Sequence, residues 1–244
     1  NELTETKNSY SIAFFSIFVV LFPTLFLKNE IVGANLLIMA AMWRALTLKT
    51  GIGIPQKLFD TSLLILCAAL LHPWAIIFLL NIWISLLFYG AQKRRYWFIP
   101  FLALLVIALL LASIVLLLDI PFPFDNYTLT FVEDVQYLFQ LSDHSLPYLV
   151  ALGCFVVLFA FSLIVYYFRS KYHSISSLVV IQFLWVGLLV VLLSKEMIYL
   201  FAPIAVLFAL YVEKITLRWL KETLLWLLLV LPALVLSLHF IAKG

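Results

Sequence analysis

Charge is the scarcest commodity in this sequence. Lys and Arg number 15 and Asp and Glu 12, together 11% of 244 residues. A soluble domain carries about 25% charged residues and must cover its surface with polar groups. Water-soluble enzyme folds and nucleic-acid-binding modules are excluded on that ground, and no nucleic-acid partner is expected. Cysteine is nearly missing: Cys67 and Cys154 both fall in apolar runs and read as small hydrophobes, not as a disulfide or metal pair. Glycine is scarce too, at seven residues, so no Gly-rich phosphate loop and no obvious small-residue packing seam occur. There is no Gly-x-Ser-x-Gly and no Cys-x-x-Cys. His72, His144, His173 and His239 include no pair three or four residues apart, the spacing a helix uses to hold a metal.

What fills the chain instead is apolar: 66% of residues, 16% aromatic, with a mean hydropathy of +1.18. This is the composition of an integral membrane protein. A hydrocarbon core of about 30 Å takes about 20 apolar residues as a helix. Runs of that kind cover Ser9–Leu27, Ile31–Leu48, Leu58–Leu71, Pro73–Tyr89, Trp97–Leu118, Leu146–Phe168, Ile175–Leu193, Met197–Val212 and Thr223–Ile241. The expected fold is therefore all-α: one transmembrane domain over residues 1–244, a polytopic helical bundle of about nine spans. Only His72-Pro73 separates the third and fourth runs. Proline suits the first turn of a helix, where its missing N–H costs nothing, so a tight pair of short helices is expected there and not one kinked rod. The chain opens at Asn1 rather than Met, without a signal-peptide pattern, and further spans are expected upstream.

Alternating nine spans sorts the basic residues strongly. Lys7, Arg44, Lys49, Lys57, Lys93, Arg94, Arg95, Arg169, Lys171, Lys214, Arg218 and Lys221 fall on one side, and only Lys28, Lys195 and Lys243 on the other. Short cytoplasmic loops are the Lys/Arg-rich ones, so residues 1–8 are expected in the cytoplasm and the C-terminus outside. The one long loop, 119–145, is expected outside as well. Its TFVEDVQYLFQL segment reads as an amphipathic helix on the outer membrane surface, with Thr130 as N-cap and Glu133 completing a capping box.

Polar side chains at membrane depth are expensive and therefore informative. Asn35, Asn81 and Gln182 lie within spans and are expected to hydrogen-bond between helices. No span carries a central Asp, Glu, Lys or Arg, which argues against a proton pump and an ion channel. Candidate chemistry moves to the outer rim, where Lys28, Glu30, His72, Asp119, Lys195 and Glu196 lie. A cation there suits the phosphate of a polyprenyl carrier, and a carboxylate suits a general base or a divalent-metal ligand. Lysines at that level also snorkel to headgroups with no further role.

The stretch NELTETKNSYSIAFFSIFVVLFP, with the block from Trp43 to Phe88 and YWFIPFLA after it, resembles a multi-pass inner-membrane family of Bacteroidota, flavobacteria above all, known as a domain of unknown function. The LFD…HPW block from Leu58 to Trp74 is its most specific part. In architecture, the basic loop, the helix pair with a central proline and the later SKEMIYLFAPIAVLFALYVE are similar to the GT-C superfamily of polyprenyl-phosphate glycosyltransferases. That resemblance implies Lys195 and Tyr199 at the lipid phosphate, joined by Lys28, and Pro203 opening a late span. It also implies Glu30 or Asp119 as base or divalent-metal ligand. The first outer loop, Lys28-Asn29-Glu30, offers one carboxylate where that superfamily carries an acidic motif.

Three functions are compatible with these residues. The first is a non-enzymatic subunit or assembly factor in bacterial cell-envelope biogenesis, partnered by the bilayer and other membrane subunits. The others are a GT-C-like glycosyltransferase taking a polyprenyl-phosphate-linked sugar, and a transporter of lipids or lipid-linked precursors. The last needs a groove open to the bilayer beside the short third and fourth helices.

Overall fold

A computed structural model describes residues 10–22, 28–88, 94–118, 153, 156–157, 160, 175–194, 196–213, 215 and 218–243. The long loop 119–145, with its surface helix and capping box, and nearly all of the span 146–168 lie outside the described residues. Those described are helical, with no strand among them. The α-helices are α1 (Tyr10–Leu21), α2 (Asn29–Leu46), α3 (Ile54–Leu71), α4 (Leu80–Phe88), α5 (Ile99–Leu118), α6 (Ile175–Ser194), α7 (Ile198–Glu213) and α8 (Arg218–Lys243). Short 3-10 segments cover Thr47–Thr50, Pro73–Leu79 and Arg94–Phe98. Among the described residues, four helical stretches are long and apolar enough to cross a membrane: Asn29–Thr50, Ile54–Leu71, Arg94–Leu118 and Ser177–Ser194. The apolar helices Tyr10–Leu21, Pro73–Leu87 and Ile198–Glu213 are shorter.

The chain divides into two compact units. The first comprises Asn1–Lys28, Glu133–His173 and Leu200–Gly244. Its described core is aromatic: Phe14 meets Phe208 edge-on at 4.9 Å between ring centroids, and Phe201 packs against Phe18 and Phe22 at 6.0 and 5.5 Å. Such ring pairs add about 0.5–1.5 kcal/mol beyond the area they bury. Helix α1 also packs along α8, where the Lys221 ammonium sits 4.8 Å from the centre of the Tyr10 ring.

The second unit, Asn29–Val132 with Ser174–Tyr199, is built on an antiparallel hairpin of α2 and α3. Three contacts define its register. A Cβ on Gly33 would stand 3.1 Å from Leu71 Cδ1, Arg44 meets Asp60, and Lys57 Nζ donates to the Thr47 carbonyl at 2.7 Å. Each pair lies equally far from Ile52 at the tip. The turn itself runs through Gly51 and Gly53, with φ of +68° and +64°, a region L side chains avoid. Pro55 then occupies the first turn of α3, where its missing N–H is harmless.

Helix α3 stops at Leu71, and His72 is extended, with φ −138° and ψ +107°. The break expected at His72-Pro73 is present. The chain resumes in the tighter 3-10 winding and changes to α only at Leu80. Seven residues is long for a 3-10 run, because its hydrogen bonds are poorly aligned and its side chains eclipse. Helix α6 packs against this segment, α4 and α2. Helix α5 lies on α3 and buries only Pro100, Ala103 and Ile107, a single narrow stripe. The rest of its surface is exposed leucine, isoleucine and phenylalanine. Water would not tolerate such a helix, but lipid does.

Candidate functional site

The polar groups of the second unit gather in two places. One is the tip of the α2–α3 hairpin. Arg44 Nε donates to Asp60 Oδ2 at 2.9 Å, and its Nη2 reaches the same oxygen. Thr47 Oγ1 donates to the Arg44 carbonyl, Lys57 Nζ to the Thr47 carbonyl and Thr50 Oγ1, and Thr61 Oγ1 to the Lys57 carbonyl. A carbonyl in the last turn of α2, that of Arg44, and that of Thr47 in the 3-10 turn after it therefore receive side-chain donors, with cations at the helix end where the macrodipole favours them. Both members of the ion pair are partly exposed, so it serves as a positional lock more than a source of stability. Sequence reasoning counted Arg44 as a topology charge and passed over Asp60. Hairpin symmetry about Ile52 was the signal that would have paired them.

The second place is a buried seam joining Pro73–Phe88, α6 and the first turn of α7. Gln182 projects from α6 between two turns of α4: its Oε1 accepts from Ser85 Oγ at 3.2 Å, and its Nε2 donates to the Asn81 carbonyl. Asn81 and Ser85 are four residues apart and share a helix face, which is why one amide reaches both. Next to them runs an aromatic column. Phe78 stacks on Phe183 at 6.0 Å and tilts against Tyr199 at 5.6 Å, and the His72 ring lies 5.7 Å from that of Tyr199. Glu196, largely buried just before α7, lies within electrostatic reach of Tyr199.

The expectation of interhelical hydrogen bonds is met at Gln182 and not at Asn35, whose Nδ2 donates to Met39 Sδ one turn along its own helix. Asn81 takes part through its backbone carbonyl, while its side-chain amide meets no partner.

Of the residues singled out at the rim, the structure brings together His72, Glu196 and Tyr199. Tyr199 is only 1% exposed, its ring packed among aromatics. Lys28 and Glu30 are exposed, the carboxylate in the first turn of α2, where it complements the helix dipole. Asp119 and Lys195 lie outside the described residues. Cys67 is a free, half-buried thiol, and among the described residues no group of three His, Cys, Asp or Glu is placed to hold a metal.

Fold and seam together define a membrane-associated helical protein in which Gln182 joins one helix to another through hydrogen bonds. No protein-family model matches the chain, and neither a curated protein nor a solved structure is significantly similar to it.

Proposed function

We propose that this chain is a non-enzymatic subunit or assembly factor of a bacterial cell envelope, embedded in the inner membrane with residues 1–8 cytoplasmic and its C-terminus periplasmic. The observation that carries the reading is where the polar side chains of the apolar helices go. Gln182 and Ser85 bond across a helix pair, and Asn35, Thr61, Ser62 and Ser113 bond within their own helices. Bonds between helices hold a scaffold together and bonds within a helix commit a group to its own turn, whereas a catalytic centre aims several groups at a substrate. The twelve-to-three bias of basic residues supports the orientation.

The test is extraction from the native membrane directly into lipid nanodiscs, followed by mass measurement of the intact particle. A subunit is recovered at the mass of a defined complex, with a second protein in fixed stoichiometry. Recovery of the bare chain alone contradicts the reading.

A further inference from the structure

Two buried polar side chains in the seam break the pattern just described. Asn81 and Tyr199 are each 1% exposed, and neither amide atom of Asn81 nor the Tyr199 hydroxyl meets a hydrogen-bond partner. They belong to one neighbourhood. Asn81 lies one turn beyond Phe78, and the rings of Phe78 and Tyr199 are in contact at 5.6 Å. The Gln182 amide, which bonds to the Asn81 backbone carbonyl, has both its atoms engaged. The fold is thus able to satisfy an amide at this depth, yet leaves both atoms of the Asn81 amide and the Tyr199 hydroxyl without a partner. Native proteins rarely bury such groups without something to bond them.

We propose that this seam binds a small uncharged group bearing a hydroxyl, which accepts from Asn81 Nδ2, donates to Asn81 Oδ1 and meets the Tyr199 hydroxyl. One hydroxyl reaches all three atoms, since it carries one donor, for Asn81 Oδ1, and two acceptor positions, for one of the two Asn81 N–H groups and for the Tyr199 O–H. The side chains along the seam, His72, Phe78, Ser85, Gln182 and Phe183, supply no fixed charge. Glu196 opposes an anion, so a phosphate or carboxylate is disfavoured. A metal ion needs several convergent ligands, and none of the described residues form such a group. Two sources offer the required chemistry: an internal water, which typically makes two to four such bonds, and the free hydroxyl of a neutral lipid such as a diacylglycerol.

The experiment uses the full chain, labelled with nitrogen-15 on asparagine, in phosphatidylcholine nanodiscs with and without diacylglycerol. Asn81→Ser identifies the Asn81 side-chain amide signals. A cross-peak from these protons to water in both preparations establishes a water site. A cross-peak to the diacylglycerol headgroup, only where that lipid is present, establishes a lipid site. Tyr199→Phe keeps the aromatic packing and is expected to weaken either cross-peak by about half. Asn81 amide protons that contact protein protons alone overturn the proposal, as does a cross-peak that Tyr199→Phe leaves unchanged.

Discussion

At Gln182 a single side chain bridges two helices, and its worth is measurable. Interhelical hydrogen bonds within membranes contribute about 0.6 kcal/mol on average and up to about 2. Gln182→Leu removes two of them while keeping the volume, and leaves Ser85 without its acceptor. We expect a loss of about 1 kcal/mol, read by reversible unfolding in mixed micelles. A double-mutant cycle with Ser85→Ala should return a coupling of about 0.5 kcal/mol or more; strict additivity would remove the bond from the account. The position of Gln182 was legible in the sequence, because an amide in an otherwise apolar run demands a partner. Its partner was not, because a serine in a membrane helix can equally donate to its own backbone, as Ser62 does to Leu58. The resemblance places Tyr199 at a lipid phosphate; in the fold it is buried against His72 and against Phe78 of the 3-10 segment, neighbours more than 120 residues away that no local pattern reveals.

The α2–α3 hairpin shows how an element follows from a few residues. Gly51 and Gly53 hold left-handed conformations, so Gly51→Ala or Gly53→Ala should each cost about 1–2 kcal/mol. Nothing lies within 4 Å of a Cβ on Gly51, so that cost is conformational and free of steric conflict. At Gly33 the reverse holds. An added Cβ meets only the tip of Leu71, which is able to turn aside, so Gly33→Ala should be nearly neutral. Gly33→Ile adds bulk that the tip cannot avoid and should force α2 from α3, lowering stability by about 1–3 kcal/mol. Thermal unfolding of the four variants in one detergent separates these cases, and equal losses at Gly33→Ala and Gly33→Ile would contradict the close approach. The existence of these helices and the break at His72-Pro73 were readable from hydrophobic runs and proline. The 3-10 winding of Pro73–Leu79 was not, since no residue pattern along the segment distinguishes it from an α-helix; the segment packs against α3 and α6.

At the scale of the whole molecule, exposure runs opposite to that of a soluble protein. Helix α5 turns leucines outward along most of its length, with Leu116 and Leu117 more than four-fifths exposed. Only lipid or another apolar surface is compatible with that, and the proposed orientation rests on the charge asymmetry of the loops. In a chain lacking Cys67 and Cys154, Ser142→Cys should react with an impermeant maleimide added to intact spheroplasts. Lys49→Cys should react only after lysis. Labelling of both, or of Lys49→Cys alone, contradicts the topology. Composition pointed to the membrane, in keeping with the four apolar helices long enough to cross one among the described residues, and the sparse charges are the basis of the proposed orientation. Function was the least legible property, because helix-holding polar groups and substrate-holding ones are the same residue types. They separate only when their partners are seen.

The central claim is that the chain serves the envelope as a structural part and not as a catalyst at its outer rim. Its most direct test is complementation of a deletion strain by a variant carrying Lys28→Ala, Glu30→Gln, Asp119→Asn and Lys195→Ala together. The account predicts normal growth and unchanged envelope glycans at wild-type abundance in the membrane. A variant that reaches wild-type abundance, yet fails to complement and accumulates polyprenyl-linked sugar, would contradict it.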